Sequence, residues 1–307
     1  MKTRIGIIRV DTHSYYYGLF LADYDSLLLQ KNNYCCLHYA SFIYNAVEPQ
    51  TFPRVEGFEI VAVFDQDRAK SQAFSETFLN KPKVCSSPEE MIPLVDAAMI
   101  MNCNFGGEDH LQLATPFLKA GIPLYVDKPF ASTYKDAKAI ADLATSTGTP
   151  MFNASILSYV PAATFFKNRF QEIGVKYWPI RKHGPDYCKV DLGVVKGLGG
   201  AVGQETVGGT GGDSIESRMA YLIHGLSLAL NLFGLDVEYV EAYGDLPIEY
   251  LHLHMESGTD VMVLNTHSDR FPEECSFFAS AYSKFGAVHS GPIGDPEFIA
   301  EMASQTP

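Results

Sequence analysis

Between residues 58 and about 154, short apolar runs alternate with amphipathic stretches of helical length, and this restricts the fold more than any other feature of the chain. Phe58–Phe64 (FEIVAVF) is rich in aromatic and β-branched residues and closes on Asp65, as a buried strand does. Residues 67–79 follow, with Ala69, Ala73, Phe74 and Phe78 at helical spacing. A strand is predicted over 97–103, then a helix over 108–120 that stops at Gly121. A third strand is predicted over 122–126, a helix over 132–146 capped by Ser132 and stopped by Gly148, and a further strand over 151–154. With Ile5–Ile8 as the first strand, this pattern specifies βαβ units, a parallel sheet and helices on both of its faces. Ligands of such sheets sit at the carboxyl ends of the strands. Those ends are Arg9 to Ser14, Asp65, Asn102 to Gly107, and Asp127 to Pro129.

Beyond Val160 the pattern changes. A helix is expected over 161–172, a strand over 175–181, and a glycine-dense loop over 197–212. That loop lacks the G-K-[ST] ending of a P-loop; a substrate loop and a plain connection are both open for it. A helix over 215–233 ends at Gly234, and 237–243, 248–255 and 260–266 alternate as antiparallel strands. The fold class is therefore α/β: an N-terminal Rossmann-type parallel sheet domain over 1–155, then a C-terminal α+β domain with a mostly antiparallel open sheet over 156–307. Residues 15–56 are read as the first helix plus an inserted segment. Tyr15, Tyr16 and Tyr17 there suit either ligand stacking or packing.

Composition supports two domains with real cores: 307 residues, 47% hydrophobic and only 19% charged. A net charge of -13 repels phosphate backbones and anionic membranes, which removes nucleic acid and membranes as general partners. Cys35, Cys36, Cys85, Cys103, Cys188 and Cys275 form no C-x-x-C pair, so neither a disulfide framework nor a zinc signature is read. Ile5–Ile8 is too short for a leader and no apolar run reaches membrane-spanning length, so a cytoplasmic protein is expected.

The most informative string is Leu124 to Ala131, LYVDKPFA, in which a strand ends in an acid, a lysine and a proline. Proline keeps the preceding residue extended, which holds Lys128 at the strand's carboxyl end. A lysine there can hydrogen-bond a substrate hydroxyl and tune a neighbouring base. This string resembles the Glu-Lys-Pro hallmark of the glucose–fructose oxidoreductase, inositol dehydrogenase and MocA (Gfo/Idh/MocA) family, here as Asp127-Lys128-Pro129. Gly57 to Asp65 resembles its second strand, and Asn102 to Val126, with His110 and Ala120-Gly121, resembles the segment leading into the lysine. Residues 209–234, with His224, resemble its histidine-bearing helix. The resemblance implies an NAD(P)-dependent oxidoreductase acting on a carbinol or ketone of a sugar-like molecule, as a homodimer or higher homo-oligomer. It makes His224 the general base and Lys128 the residue that orients the hydroxyl. It gives Asp65 the adenosine ribose hydroxyls, whose charge favours NAD over NADP. Against the family's length the chain closes early after Met302, which implies a missing final helix.

Two stretches depart from the family. Arg9, Asp11 and Ser14 occupy the three glycine positions of the phosphate-binding fingerprint, and Asp11 brings a carboxylate to a phosphate site. Arg9 is a phosphate partner that offsets this. On the histidine helix, Ala220 and Ser227 stand where the family has aspartates; Asp213, Glu216 and Tyr221 are the candidates to replace them. The cofactor-contacting set is therefore expected to be Arg9, Asp11, Thr12, His13, Asp65, Asn102, Asp127 and Lys128. Asp11 and His13 with His110, and the pair His252 and His254 on one strand face, are patterns open to metal. A local turn and a half-exposed sheet face explain them more simply, and no metal is expected. The alternatives to a dehydrogenase are a catalytically silent ligand-binding or regulatory protein of the same fold, and a hydrolase or lyase that uses held NAD for transient oxidation.

Overall fold

The computed structural model describes residues 2–32, 54–102, 105–176, 190–201, 215–245, 248–268, 277–283, 286–291 and 293. They gather into two compact units that part between Asn153 and Ala154. Among the described residues no helix is long and apolar enough to cross a membrane.

The first unit runs β1 (Thr3–Ile8), α1 (Thr12–Leu21), α2 (Ser26–Asn32), β2 (Phe58–Phe64), α3 (Arg68–Thr77), β3 (Lys83–Val84), α4 (Pro88–Met91), β4 (Ala97–Ile100), α5 (His110–Lys119), β5 (Leu124–Val126), α6 (Tyr134–Thr147) and β6 (Met151–Phe152). Its six strands lie in the order β3-β2-β1-β4-β5-β6 and every neighbouring pair is parallel. That is the strand order of doubly wound dinucleotide-binding sheets. The apolar runs are continuous because both faces are covered: Ile7, Ile8, Ala62 and Val63 are all fully buried. Tyr15 and Leu19 of α1 pack with Phe74 and Phe78 on one face, and Met91, Phe117, Leu118 and Ile140 fill the other. Tyr15 is thus a core residue, its ring centroid 5.3 Å from that of Phe74. Close packing also explains Gly18, where a Cβ would meet the Phe78 ring at 2.4 Å.

Helix ends follow local chemistry, with one correction. Gly148 ends α6 in the left-handed conformation at φ 67°, as expected. The cap is Thr133, not Ser132: Thr133 Oγ1 accepts the Asp136 amide hydrogen at 3.1 Å and donates to the Asp136 carboxylate at 2.8 Å. Thr133 has Asp136 three residues on, whose amide and carboxylate both meet its hydroxyl, whereas Ser132 has Lys135 at that distance.

The second unit contains α7 (Pro161–Lys176), β7 (Leu192–Ala201), α8 (Ile215–Phe233), β8 (Val237–Asp245), β9 (Ile248–Met255), β10 (Asp260–Ser268), β11 (Phe278–Ser283) and β12 (Gly286–His289). These form a sheet in the order β12-β11-β7-β10-β9-β8, antiparallel except for β7 with β10. Val195, Val261, Val263 and Leu253 of the sheet pack with Leu228 and Ala229 of α8. Two expectations are overturned here. Val175 and Lys176 close α7 and do not begin a strand; 177–181 lie outside the described residues. Residues 197–201 belong to β7 and not to a loop, while 202–212 lie outside the described residues. The glycines are there for packing: a Cβ at Gly193 would meet the Phe233 ring at 2.7 Å, and one at Gly197 would lie 3.1 Å from the Gly225 Cα. Glycine on both strand and helix lets α8 lie close on the sheet.

Candidate active site at the carboxyl ends of the parallel strands

In the first unit, β1 ends at Ile8 and the chain turns at Arg9, whose φ of 69° is the left-handed conformation that the fingerprint glycine ordinarily supplies. The Arg9 amide donates to the Phe64 carbonyl at 2.7 Å, which ties the turn to the end of β2. Its guanidinium does not stand ready for a phosphate. Nε donates to Asp109 Oδ2 at 2.8 Å, Nη2 donates to the same oxygen, and Nη1 lies 3.9 Å from Asp65 Oδ1. Asp65 accepts the Val10 amide hydrogen at 2.7 Å and the Asp67 amide hydrogen at 2.8 Å. Its carboxylate therefore braces the first loop against the end of β2.

Asp11 caps α1, accepting the His13 amide hydrogen at 2.9 Å, and is buried. Its carboxylate sits at the helix N-terminus, where a fingerprint loop binds pyrophosphate. Thr12 opens α1 and is part-exposed. Asn102, just past β4, donates from Nδ2 to Asp109 Oδ1 at 3.0 Å. Asp109 thus receives both Arg9 and Asn102. Its neighbour His110 is fully buried, with Nε2 3.1 Å from the Asn102 carbonyl and Nδ1 3.1 Å from the Phe130 carbonyl. These bonds pin the β4 loop to the segment that follows Lys128.

At the end of β5, Asp127 is 1% exposed. His13 Nδ1 lies 2.6 Å from its Oδ2; Oδ1 accepts the Lys128 amide hydrogen at 2.8 Å and the Tyr125 hydroxyl at 3.3 Å. Burial pushes this carboxyl up, but the His13 ring and then the Lys128 charge outweigh burial and hold it below the usual carboxylate range. Lys128 is itself buried, and the peptide joining it to Pro129 is cis. Asn153 Nδ2 donates to the carbonyls of Val126 and Asp127 at 2.8 and 3.1 Å, fixing the strand end from the other side. Tyr17 and Tyr125 pack together at 6.1 Å. Burial pushes both phenols up, the Asp127 charge adds to the effect, and both stay protonated.

In the second unit, His224 lies on α8 with Nδ1 2.7 Å from Ser155 Oγ and its ring edge-on to Phe277. A proton on Nδ1, donated to Ser155 Oγ, selects the tautomer whose lone pair is on Nε2. Ser155 Oγ also accepts the Leu157 amide hydrogen at 3.2 Å, so the hydroxyl is itself held in place. Ser227 offers its backbone carbonyl to Ser158 Oγ at 3.1 Å. Asp213 and the side chains of Ala220, Glu216 and Tyr221 lie outside the described residues.

The structure thus brings Arg9 and Asn102 together through Asp109, sets Asp65 beside Arg9, and gathers His13, Asp127 and Lys128 into a second group. Sequence reasoning missed Asp109 and Ser155 as partners; an acid beside His110 at a strand end was the signal for the first. Asp11, His13 and His110 do not gather as metal ligands: His13 pairs with Asp127, and His110 with two backbone carbonyls. Among the described residues the group that does gather is His252, His254 and Asp260.

Residues 42–154 match the Gfo/Idh/MocA oxidoreductase family, NAD-binding Rossmann fold. The match begins past β1 and its glycine-free loop, the part where the fingerprint is altered. The chain is 28% identical over 130 residues to D-apiose dehydrogenase of Paraburkholderia graminis, covering 40% of this chain and 33% of that protein. It is 27% identical over 128 residues to an uncharacterized protein of Saccharomyces cerevisiae, covering 41% of this chain and 35% of the relative. The chain therefore spans about a third of the length of the curated relatives it matches. Among solved structures, myo-inositol dehydrogenase from Lactobacillus casei, in complex with NAD(H) and myo-inositol, aligns with TM-score 0.66 at 16% identity, covering 96% of this chain and 76% of that one. The WlbA dehydrogenase from Bordetella pertussis, in complex with NADH and UDP-GlcNAcA, aligns with TM-score 0.65 at 16% identity, covering 95% and 79%.

Proposed function

We propose that this chain is an NAD-dependent oxidoreductase that moves a hydride between the nicotinamide and a carbinol of a sugar or polyol. The observation that carries the reading is the end of β5, where a buried lysine follows a buried, ionised aspartate. It lies in a sheet with dinucleotide-binding strand order. The sugar and inositol dehydrogenases among the similar proteins support the substrate class.

The first loop fits the cofactor in part. Arg9 adopts the turn conformation, and Asp65 ends β2 where a ribose-binding acid belongs, which favours NAD over NADP. The helix N-terminus does not fit, because the Asp11 carboxylate holds the place of the phosphate. Bound at this loop through Asp65, NAD would supply the hydride-accepting nicotinamide. The chain's own residues handle the proton: the Lys128 ammonium donates to the carbinol oxygen, which eases its deprotonation, and His224 takes the proton at Nε2. Asp127, bonded to the Lys128 amide and to His13, holds the lysine in position. Tyr239, Val240, Tyr243 and Ile248, exposed on β8 and β9, support a homo-oligomer formed through that part of the second sheet.

A second reading rests on the same loop. With Arg9 engaged by Asp109 and Asp65, and Asp11 on the helix start, the loop satisfies its own charges, as it would in a sugar-binding protein that uses no dinucleotide. Calorimetric titration of the folded, cofactor-free chain with NAD and NADP separates the two. Saturable NAD binding that weakens in Asp65→Ala supports the dehydrogenase. No binding of either nucleotide overturns it and leaves the binding protein.

A further inference from the structure

The second unit carries a cluster that the proposed reaction does not use. His252 and His254, two apart on β9, project from one face of the sheet. Asp260 on β10 is the direct cross-strand partner of His254. Asp260 Oδ1 lies 2.8 Å from His252 Nε2 and 2.7 Å from His254 Nδ1. We propose that His252, His254 and Asp260 form a binding site for a divalent transition-metal ion of the zinc class on this face.

One donor atom from each of His252, His254 and Asp260 lies within 4.8 Å of the other two. Tetrahedral zinc with bonds of ~2.0–2.1 Å separates its donors by about 3.3 Å, so each ring moves about 0.5 Å from Asp260 while the two ring nitrogens settle at that same separation. The outer partners that a metal-bound histidine needs are also in place. Glu241 Oε2 is 3.0 Å from His252 Nδ1, and Glu238 Oε2 is 3.8 Å from His254 Nε2. His252 thus has a hydrogen-bonded carboxylate at the nitrogen that faces away from Asp260, the arrangement that sets ring orientation and raises ligand basicity, and His254 has one at ion-pair distance. Glu241 is the cross-strand partner of His252, and a register shift between Val237 and Tyr239 allows Glu238 and Tyr239 both to reach His254. The Tyr239 ring stacks on His254 at 4.9 Å and 17°, which restricts its rotation.

Chemistry selects the ion. Two imidazoles and one carboxylate favour zinc, cobalt or nickel over calcium and magnesium, which take all-oxygen shells. Three carboxylates around two imidazoles supply the compensating charge. The ligands are part-exposed, and three protein donors leave a fourth position for water or an outside ligand.

The test uses the full, untagged chain stripped of metal, titrated with Zn2+ against a chromogenic chelator and with Co2+ by absorption. One Zn2+ per chain is expected, with cobalt ligand-field bands of nitrogen and oxygen donors and no thiolate charge transfer. His254→Ala and Asp260→Ala each lower affinity by about 100-fold or more. Glu241→Gln, at an exposed position, lowers it by about tenfold with stoichiometry kept. No uptake at micromolar zinc, thiolate bands from the cysteines, or equal uptake by the folded variants would overturn the site.

Discussion

Replacing Asp127 with asparagine tests the electrostatics of the β5 terminus directly. The native carboxylate is almost wholly buried, yet it stays ionised because His13 and Lys128 outweigh the cost of burial. Asparagine keeps the shape and loses the charge. Its amide oxygen can remain with the Lys128 amide hydrogen, which turns its NH2 group onto the His13 ring, 2.6 Å from the replaced oxygen. The loss is then one charge-assisted hydrogen bond plus the attraction to Lys128, about 2 kcal/mol on the usual scale for bonds to charged groups. The pH dependence follows from the direction of the shift. A carboxyl depressed in the folded state contributes stability that is present in full above its unfolded pKa of ~3.9 and is lost as pH falls through the lower folded value. Wild type is therefore more stable than Asp127→Asn at neutral pH, and the two converge in acid. Equilibrium urea unfolding of both chains across a pH series reads the gap. A difference below about 0.5 kcal/mol at neutral pH, or one that persists or widens in acid, refutes the account.

Three further outcomes follow from the packing and the bonds. Gly18→Ala places a Cβ 2.4 Å from the buried Phe78 ring, where ordinary contact is ~3.5–4.0 Å, so overpacking of about 1–3 kcal/mol outweighs the helix-propensity gain of about 1 kcal/mol. The melting temperature falls and Phe78→Leu partly restores it; an unchanged or higher value counts against this packing. Asp96, held by the Arg4 side chain and amide hydrogen, has its carboxyl lowered to about 2. In Asp96→Asn the stability difference from wild type is present above a pH of ~3.9, fades as pH falls through about 2, and shrinks in high salt; a difference indifferent to salt argues against the ion pair. Ser155→Ala removes the hydroxyl 2.7 Å from His224 Nδ1, and under the dehydrogenase reading kcat/KM falls about tenfold with an altered pH profile. Ser155→Thr restores both, and a profile unchanged in the alanine variant removes the positioning role.

The parallel sheet was legible because a strand buried on both faces writes itself as a continuous apolar run, as in FEIVAVF, while the helices between carry their own period. The stops at Gly121 and Gly148 were legible for the same local reason: each has a positive φ, and both positions had been read as helix ends. The glycines of β7 misled. Glycine reports a need for conformational freedom or for space, and only the closeness of Phe233 and Gly225 shows that space was the need at Gly193 and Gly197. The site was half legible. As candidates, Lys128, Asp127 and His224 stood out by their setting, whereas Asp109 and Ser155 are ordinary residues until their partners are placed.

Period, caps and glycine stops act within a few residues, so the order of elements and the strand ends that gather polar groups are written along the chain. Charge pairing is not local. Arg9 reaches Asp109 across 100 positions and His13 reaches Asp127 across 114, pairings made when strand order sets β1 beside β4, and β4 beside β5, and the loops at their ends converge. A sequence reads Arg9 as available to a phosphate and Asp11 as an obstacle to one. Folding commits the first to two carboxylates and the second to a helix end, because a charge leaving water must find its counterpart in whatever the fold brings within reach.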